Sequence, residues 1–185
     1  GGAVLGHAIH NHDLLCAVFG PIEQLSAFTQ PRVNDIEVED CASISFQMKN
    51  GALASSSITL GAAQDTTRLR FCFEKLTAES GELPYAPAAG DWKFISRGPG
   101  DIGAQQTEID EFLKTVPVQN AGYIGFFDAL WHKLNGKTNN AVSFEDGRRS
   151  LELVSAIYQS TRSKKIVNLP LSQDDEYYHG WMPKN

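Results

Sequence analysis

Ala42, Ile44, Phe46 and Met48 alternate with Ser43, Ser45, Gln47 and Lys49, and Asn50-Gly51 follows at once. A period of two marks a half-buried strand, and Asn-Gly is the strongest short-range hairpin signal. Ala52 to Leu60 then returns as the partner strand. With Asn50-Gly51 as a two-residue turn, Met48 faces Leu53 and Ser45 faces Ser56. One face of this hairpin is rich in serine, which suits close sheet packing or solvent better than a core.

The neighbouring segments extend the pattern. Ala8 to Phe19 is apolar nearly all round and is predicted as a buried helix stopped by Gly20-Pro21. Ile22 to Thr29 is a first strand, ended by Pro31. Thr67, Leu69, Phe71 and Phe73 alternate with polar neighbours and predict a third antiparallel strand over 67–74. Leu76 to Gly90 holds two prolines and several Ala and Gly, and is expected as a loop. Asp91 to Arg97 is a short strand. Helices are predicted at Ala104 to Thr115, Tyr123 to Leu134 and Arg149 to Arg162, with Ser143 and Asp146 as a capping pair before the last. Ile166 to Leu169 is a final short strand, and Ser172 to Asn185 an arm on the surface or on a neighbour. Strands followed by helices predict an α+β domain, a mostly antiparallel sheet with helices on one face. The 185 residues are expected to form one domain, with 1–171 as core and 172–185 as the arm.

Composition narrows the partners. A net charge of −6 with no basic stripe argues against nucleic acid or an anionic membrane. Arg162-Ser163-Lys164-Lys165 suits a solvated helix end. Cys16, Cys41 and Cys72 are odd in number, far apart and in apolar contexts, which predicts buried reduced thiols in a cytoplasmic protein. No apolar run is long enough to cross a membrane, and no signal-peptide pattern is present.

Three of the five histidines, His7, His10 and His12, crowd the entry to the first helix. Histidine trades protons most readily near neutral pH. His7 and His10, three apart, share a helix face, and His12 points elsewhere. One positioned histidine suffices for acid–base catalysis, whereas a zinc site wants three or four ligands and usually a His-x-x-x-His spacing. Asp13 is expected to be structural, hydrogen-bonding within or below the helix. Gly98, Gly100 and Gly103 satisfy G-x-G-x-x-G between a predicted strand and helix. The segment after that helix, Val116-Pro117-Val118-Gln119-Asn120, is not the buried second strand a dinucleotide fold needs, so a plain glycine-rich turn is the better reading. Tyr123, after Gly122, could reach a pocket from a helix start or serve as a core aromatic.

Several stretches together resemble one family. The opening Gly1-Gly2-Ala3-Val4-Leu5-Gly6-His7-Ala8-Ile9-His10-Asn11-His12-Asp13-Leu14-Leu15 is similar to the G-G-G-x-L-x-D-x-G-x-H-x-x-D-L segment of the Gfo/Idh/MocA oxidoreductases. Val38-Glu39-Asp40 with Asn50-Gly51-Ala52 resembles the family's V-E-D and N-G-A hairpin. Phe144-Glu145-Asp146-Gly147-Arg148-Arg149-Ser150-Leu151-Glu152-Leu153, then Ala156-Ile157-Tyr158-Gln159-Ser160 and Val167-Asn168-Leu169-Pro170, resembles its closing segment. The resemblance implies the C-terminal substrate-binding and oligomerisation domain of an NAD- or NADP-dependent enzyme acting on a sugar, polyol or related hydroxy compound. It implies a large open sheet whose free face packs against another subunit, and a nucleotide-binding Rossmann domain, with its lysine, outside this chain. The fragment alone is then expected to be inactive. The family's acid–base histidine falls on His10. Its aspartate partner falls on Gly6, which has no side chain, so His7 is the expected auxiliary. Asn11 and Tyr123 are candidate substrate contacts. The alternatives are a non-catalytic binding module of the same fold and a metal-dependent enzyme using His7 and His10.

Overall fold

Alternation in the hairpin region becomes a sheet, and the apolar side of that sheet decides where the helices lie. The computed structural model describes residues 1–85 and 87–182. Residue 86 of the predicted loop and 183–185 of the predicted arm lie outside the described residues. In chain order a π-helical turn (Val4–Ala8) runs into α1 (Ile9–Phe19), followed by β1 (Ile22–Gln30), β2 (Cys41–Met48), β3 (Leu53–Thr59), β4 (Arg70–Cys72), β5 (Leu76–Glu79) and β6 (Lys93–Ser96). Then come α2 (Ile102–Thr115), α3 (Gly122–Leu134), α4 (Phe144–Ser163) and β7 (Val167–Asn168). The expected α+β class with antiparallel open sheets holds. The strands divide between two sheets in two compact units, Gly1–Ala63 with Ser143–Asn185, and Gln64–Val142.

In the first unit the strand order is β3-β2-β1-β7, all antiparallel. Leu25, Ala27, Ala42, Ile44, Phe46 and Met48 point to one face and are buried against Val4, Leu153, Val154, Ala156 and Ile157. Helices α1 and α4 thus cover one side only, and period-two alternation leaves the other side to Ser43, Ser45, Ser55 and Ser57. Two large apolar side chains interrupt that polar face, Phe28 at 72% exposure and Leu53 at 81%.

The hairpin differs from expectation by one residue. Gln47 pairs with Leu53 and Ser45 with Ser55, where a two-residue turn would pair Met48 with Leu53 and Ser45 with Ser56. The turn is the three-residue form, Lys49-Asn50-Gly51. Met48 N–H donates to Ala52 O, Gly51 N–H donates to Met48 O, and Gly51 takes the left-handed φ of 88°. Because a one-residue slip reverses every side chain, this register is what sends Ala54, Ser56 and Ile58 inward.

Asp40 explains how the chain turns between β1 and β2. Its carboxylate accepts from the backbone N–H groups of Arg32, Val33 and Asn34 at 2.6 to 2.9 Å and from Asn34 Nδ2 at 3.0 Å. These bonds, that of Arg32 foremost, hold the carboxyl well below the usual range. At the far end of the unit, Ser143 and Asp146 form the expected capping box. Helix α4 therefore starts at Phe144, a turn and more before the expected Arg149. Ser160, 1% exposed, accepts from Ala27 N–H and donates to Lys165 O, filling a place on the β1 edge where β7 is too short to pair. The arm folds back on its own unit. Gln159 Nε2 donates to Asp175 Oδ2, Arg162 donates to Trp181 O, and Tyr177 and Trp181 pack against the core.

The second unit corrects two expectations. The predicted 67–74 strand is only Arg70–Cys72, and its partner is β5, in a sheet of order β4-β5-β6. Leu76–Glu79, expected as loop, is that partner. Phe73 N–H donates to Leu76 O across Glu74-Lys75, a tight hairpin hidden by the proline-rich stretch after it. The three cysteines are free thiols, Cys16 and Cys41 half-buried and Cys72 exposed, so the expectation of burial fails for Cys72. Helix α1 is likewise half-covered, with Ala17 and Val18 exposed, because it lies across one sheet face.

Asp40→Ala would leave three backbone N–H groups without their acceptor. It should lower the thermal midpoint by about 5 °C or more, and Asp40→Asn by less, as read by calorimetry. The depressed carboxyl makes this contribution fully present above the ordinary carboxylate range and lost as pH falls below it. Acid unfolding of Asp40→Ala should accordingly be less steep than that of the parent.

Candidate functional site

The histidine-bearing segment starts as a π-helical turn, with Ile9 N–H reaching back to Val4 O. Such one-turn insertions often mark functional positions. A buried acceptor holds its start. Glu39, 8% exposed, takes Ala3 N–H on its backbone oxygen at 2.9 Å and Val4 N–H on Oε1 at 3.0 Å. A carboxylate there also suits the positive end of the helical dipole. Gly2 must be glycine, since a Cβ would stand 2.2 Å from Glu39 O. Tyr158 of α4 donates its hydroxyl to the same Oε1 at 2.8 Å. Burial, and then this bond to Glu39, push the Tyr158 phenol up.

The structure separates the three histidines. His7 and His10 are exposed, and Asn11 is half-buried. His12, 3% exposed, points into the sheet. Its Nε2 lies 3.1 Å from Ser56 Oγ, its ring meets the Phe46 edge at 5.2 Å, and its Nδ1 has no hydrogen-bond partner among the described residues. Burial lowers its pKa to about 4. His12 is therefore a neutral core residue at physiological pH. Asp13 accepts from Ser150 Oγ at 3.2 Å and ties α1 to α4, the structural role expected of it. Cys16 is pushed up to about 11 by burial, then by Asp13, and is a protonated thiol.

Gly6 is exposed, and a Cβ built there meets no heavy atom within 4 Å. An aspartate at this position would be sterically free. Tyr123 lies in the second unit at the start of α3, 83% exposed. Among the described residues, no three His, Cys, Asp or Glu side chains gather in a metal-holding arrangement. No helix among them is long and apolar enough to cross a membrane.

Gly98–Gly103 does not fit a dinucleotide. The preceding strand, β6, is antiparallel to its neighbour, and α2 leads to another helix instead of a second strand. The loop is filled from within. Gln105 Nε2 donates to Pro99 O at 2.8 Å, and a Cβ at Gly98 would stand 2.9 Å from Gln105 Oε1. Asp101 caps α2 by accepting from Ala104 N–H. It is a glycine-rich turn, as the sequence favours.

Sequence reasoning missed Glu39 and Tyr158 as the supports of the histidine segment. The only signal was that both lie in stretches singled out for another reason, the Val38-Glu39-Asp40 triplet and the face of α4.

The one-sided antiparallel sheet with a helix laid across it is a fold shared with solved oxidoreductases. Residues 1–79 match the family model described as the GFO/IDH/MocA C-terminal domain. The chain is similar to the WlbA dehydrogenase from Bordetella pertussis, solved with NADH and UDP-GlcNAcA, at 27% identity over 93% of this chain and 47% of that one, with a TM-score of 0.69. The WlbA dehydrogenase from Chromobacterium violaceum, solved with the same two ligands, matches at 25% identity over 93% and 47%, with a TM-score of 0.70. An aldose–aldose oxidoreductase from Caulobacter crescentus, at 19% identity over 91% and 48%, shares the fold with a TM-score of 0.60. The chain spans about half the length of these proteins. A search of the curated proteins finds no match.

The buried histidine makes a measurable demand. Because its folded pKa is about 4 against an ordinary 6.5, the unfolded state binds the extra proton between these values. Stability should be full above pH 6.5 and fall by about 3 kcal/mol as pH drops to 4. Urea titrations across that window should show this slope in the parent and its loss in His12→Leu.

Proposed function

We propose that this chain is the substrate-binding and proton-transfer domain of an NAD- or NADP-dependent oxidoreductase acting on a sugar, polyol or related hydroxy compound. The observation that carries it is the exposed His7–His10 segment, fixed from below by a buried carboxylate, in the stretch that matches the GFO/IDH/MocA C-terminal domain model. The similarity to WlbA favours a nucleotide-linked sugar within that class. In this reading His10 accepts the proton of the hydroxyl being oxidised, and His7 polarises the substrate or relays that proton. Asn11, next to His10 in the same unit, is a substrate contact. The cofactor is held by a nucleotide-binding domain outside these 185 residues, so the fragment alone is inactive. The protein works in the cytoplasm as a homo-oligomer joined through the free sheet face, where Phe28 and Leu53 stand out.

In the full-length enzyme, His10→Ala should cut turnover by about 100-fold or more with little change in melting temperature. Unchanged turnover would remove His10 from the role. The open space at Gly6 supplies a second test. Gly6→Asp should fold normally, as read by calorimetry, and should change turnover measured at one fixed pH, whereas an unchanged rate would show that position 6 takes no part in the reaction.

One observation favours another reading. Gly6 gives His10 no carboxylate partner, as expected of a binding module that kept the sheet and lost the chemistry. A full-length protein that binds UDP-GlcNAcA but reduces neither NAD nor NADP with it, or with any sugar or polyol offered, would establish that reading. The oligomer is tested separately. Phe28→Glu should dissociate the assembly in analytical ultracentrifugation and leave the monomer folded.

A further inference from the structure

The histidine segment is anchored at its start by Val4, which is fully buried in the core. A π-helical turn departs from the regular ladder and is exposed at Gly6 and His7. Its N-cap residue, Ala3, offers no side-chain hydrogen bond. Its start is held by a buried group. Glu39 Oε1 takes Val4 N–H at 3.0 Å and Tyr158 Oη–H at 2.8 Å, while Glu39 O takes Ala3 N–H at 2.9 Å. Tyr158 is fixed in turn by the Trp181 ring at 6.0 Å and the Arg162 guanidinium at 5.7 Å. A continuous set of contacts therefore runs from the C-terminal arm through Tyr158 and Glu39 to the turn bearing His7.

We propose that Glu39 is a positioning residue for this segment: its carboxylate locks the start of the π-helical turn to α4 and so sets where His7 and His10 stand. This rests on the reading of His10 as proton acceptor. The carboxylate sits on the far side of the turn from solvent, 8% exposed, so its effect on chemistry passes through the turn's geometry. A small displacement of a catalytic group costs rate far more than it costs binding. The role needs an acceptor oxygen at Oε1 and no charge, so glutamine can serve and alanine cannot.

The test uses the full-length protein with Glu39→Ala, Glu39→Gln and His10→Ala. Glu39→Ala should lower kcat by roughly 30- to 100-fold with KM changed less than about threefold, and Glu39→Gln should restore most of it. Amide hydrogen exchange supplies a readout independent of activity. At Ala3, Val4 and Leu5 it should quicken at least about tenfold in Glu39→Ala, while Ile44 and Phe46 in β2 keep their protection. Unchanged exchange at Val4 would overturn the proposal. So would equal losses in the Gln and Ala variants, or a β2 that exchanges as fast as the turn, since these mean general destabilisation. If His10→Ala retains full turnover, the acid–base reading falls, and the exchange data still decide whether Glu39 fixes the turn.

Discussion

One carboxylate oxygen, Glu39 Oε1, ties together segments far apart in sequence: the glycine-rich start, the loop before β2, and helix α4. Removing such an acceptor leaves a backbone N–H and a phenol stranded in the interior, which costs more than the bonds themselves contribute. Gly2 lies so close to Glu39 that no other residue fits. The next residue, Asp40, serves the same loop in the other direction by gathering the N–H groups of Arg32, Val33 and Asn34. Two adjacent acidic residues thus face opposite tasks, one fixing the candidate site and one fixing the turn that delivers them.

The sheet separates the domain's two expected duties. Its inner face is apolar and takes α1 and α4, and the polarity of Ser56 is absorbed there by His12. Its outer face is serine-rich, with little steric relief apart from Phe28 and Leu53. Small side chains allow another surface to approach closely. The register of the β2–β3 turn assigns each residue to its face, so Gly51 influences both duties without touching either.

Much of this was legible in the sequence. Period two gave β2, Asn50-Gly51 gave its partner β3, Gly20-Pro21 ended α1, and Ser143 with Asp146 marked the start of α4, because these signals are local and chemically specific. The register was missed because Asn-Gly serves both two- and three-residue turns, and the choice depends on which faces the core accepts. Strand β5 was missed because Pro84 and the glycines around it dominated the reading of Leu76–Glu79. In the histidine cluster, spacing put His12 apart from the other two. It could not reveal that His12 is the buried one, since that depends on Ser56 and Phe46, more than thirty residues away in the chain. Glu39 was hidden for the same reason, as its partners lie at Val4 and Tyr158.

The central claim is that His7 and His10 face substrate while His12 serves the core. Histidine-selective NMR of the full-length protein, titrated with pH and with UDP-GlcNAcA, tests it most directly. The account predicts that the imidazole signals of His7 and His10 move when UDP-GlcNAcA binds, and that His12 stays neutral down to about pH 4 and does not respond. A His12 that titrates near its ordinary value, or that responds to the ligand while His10 does not, would contradict it.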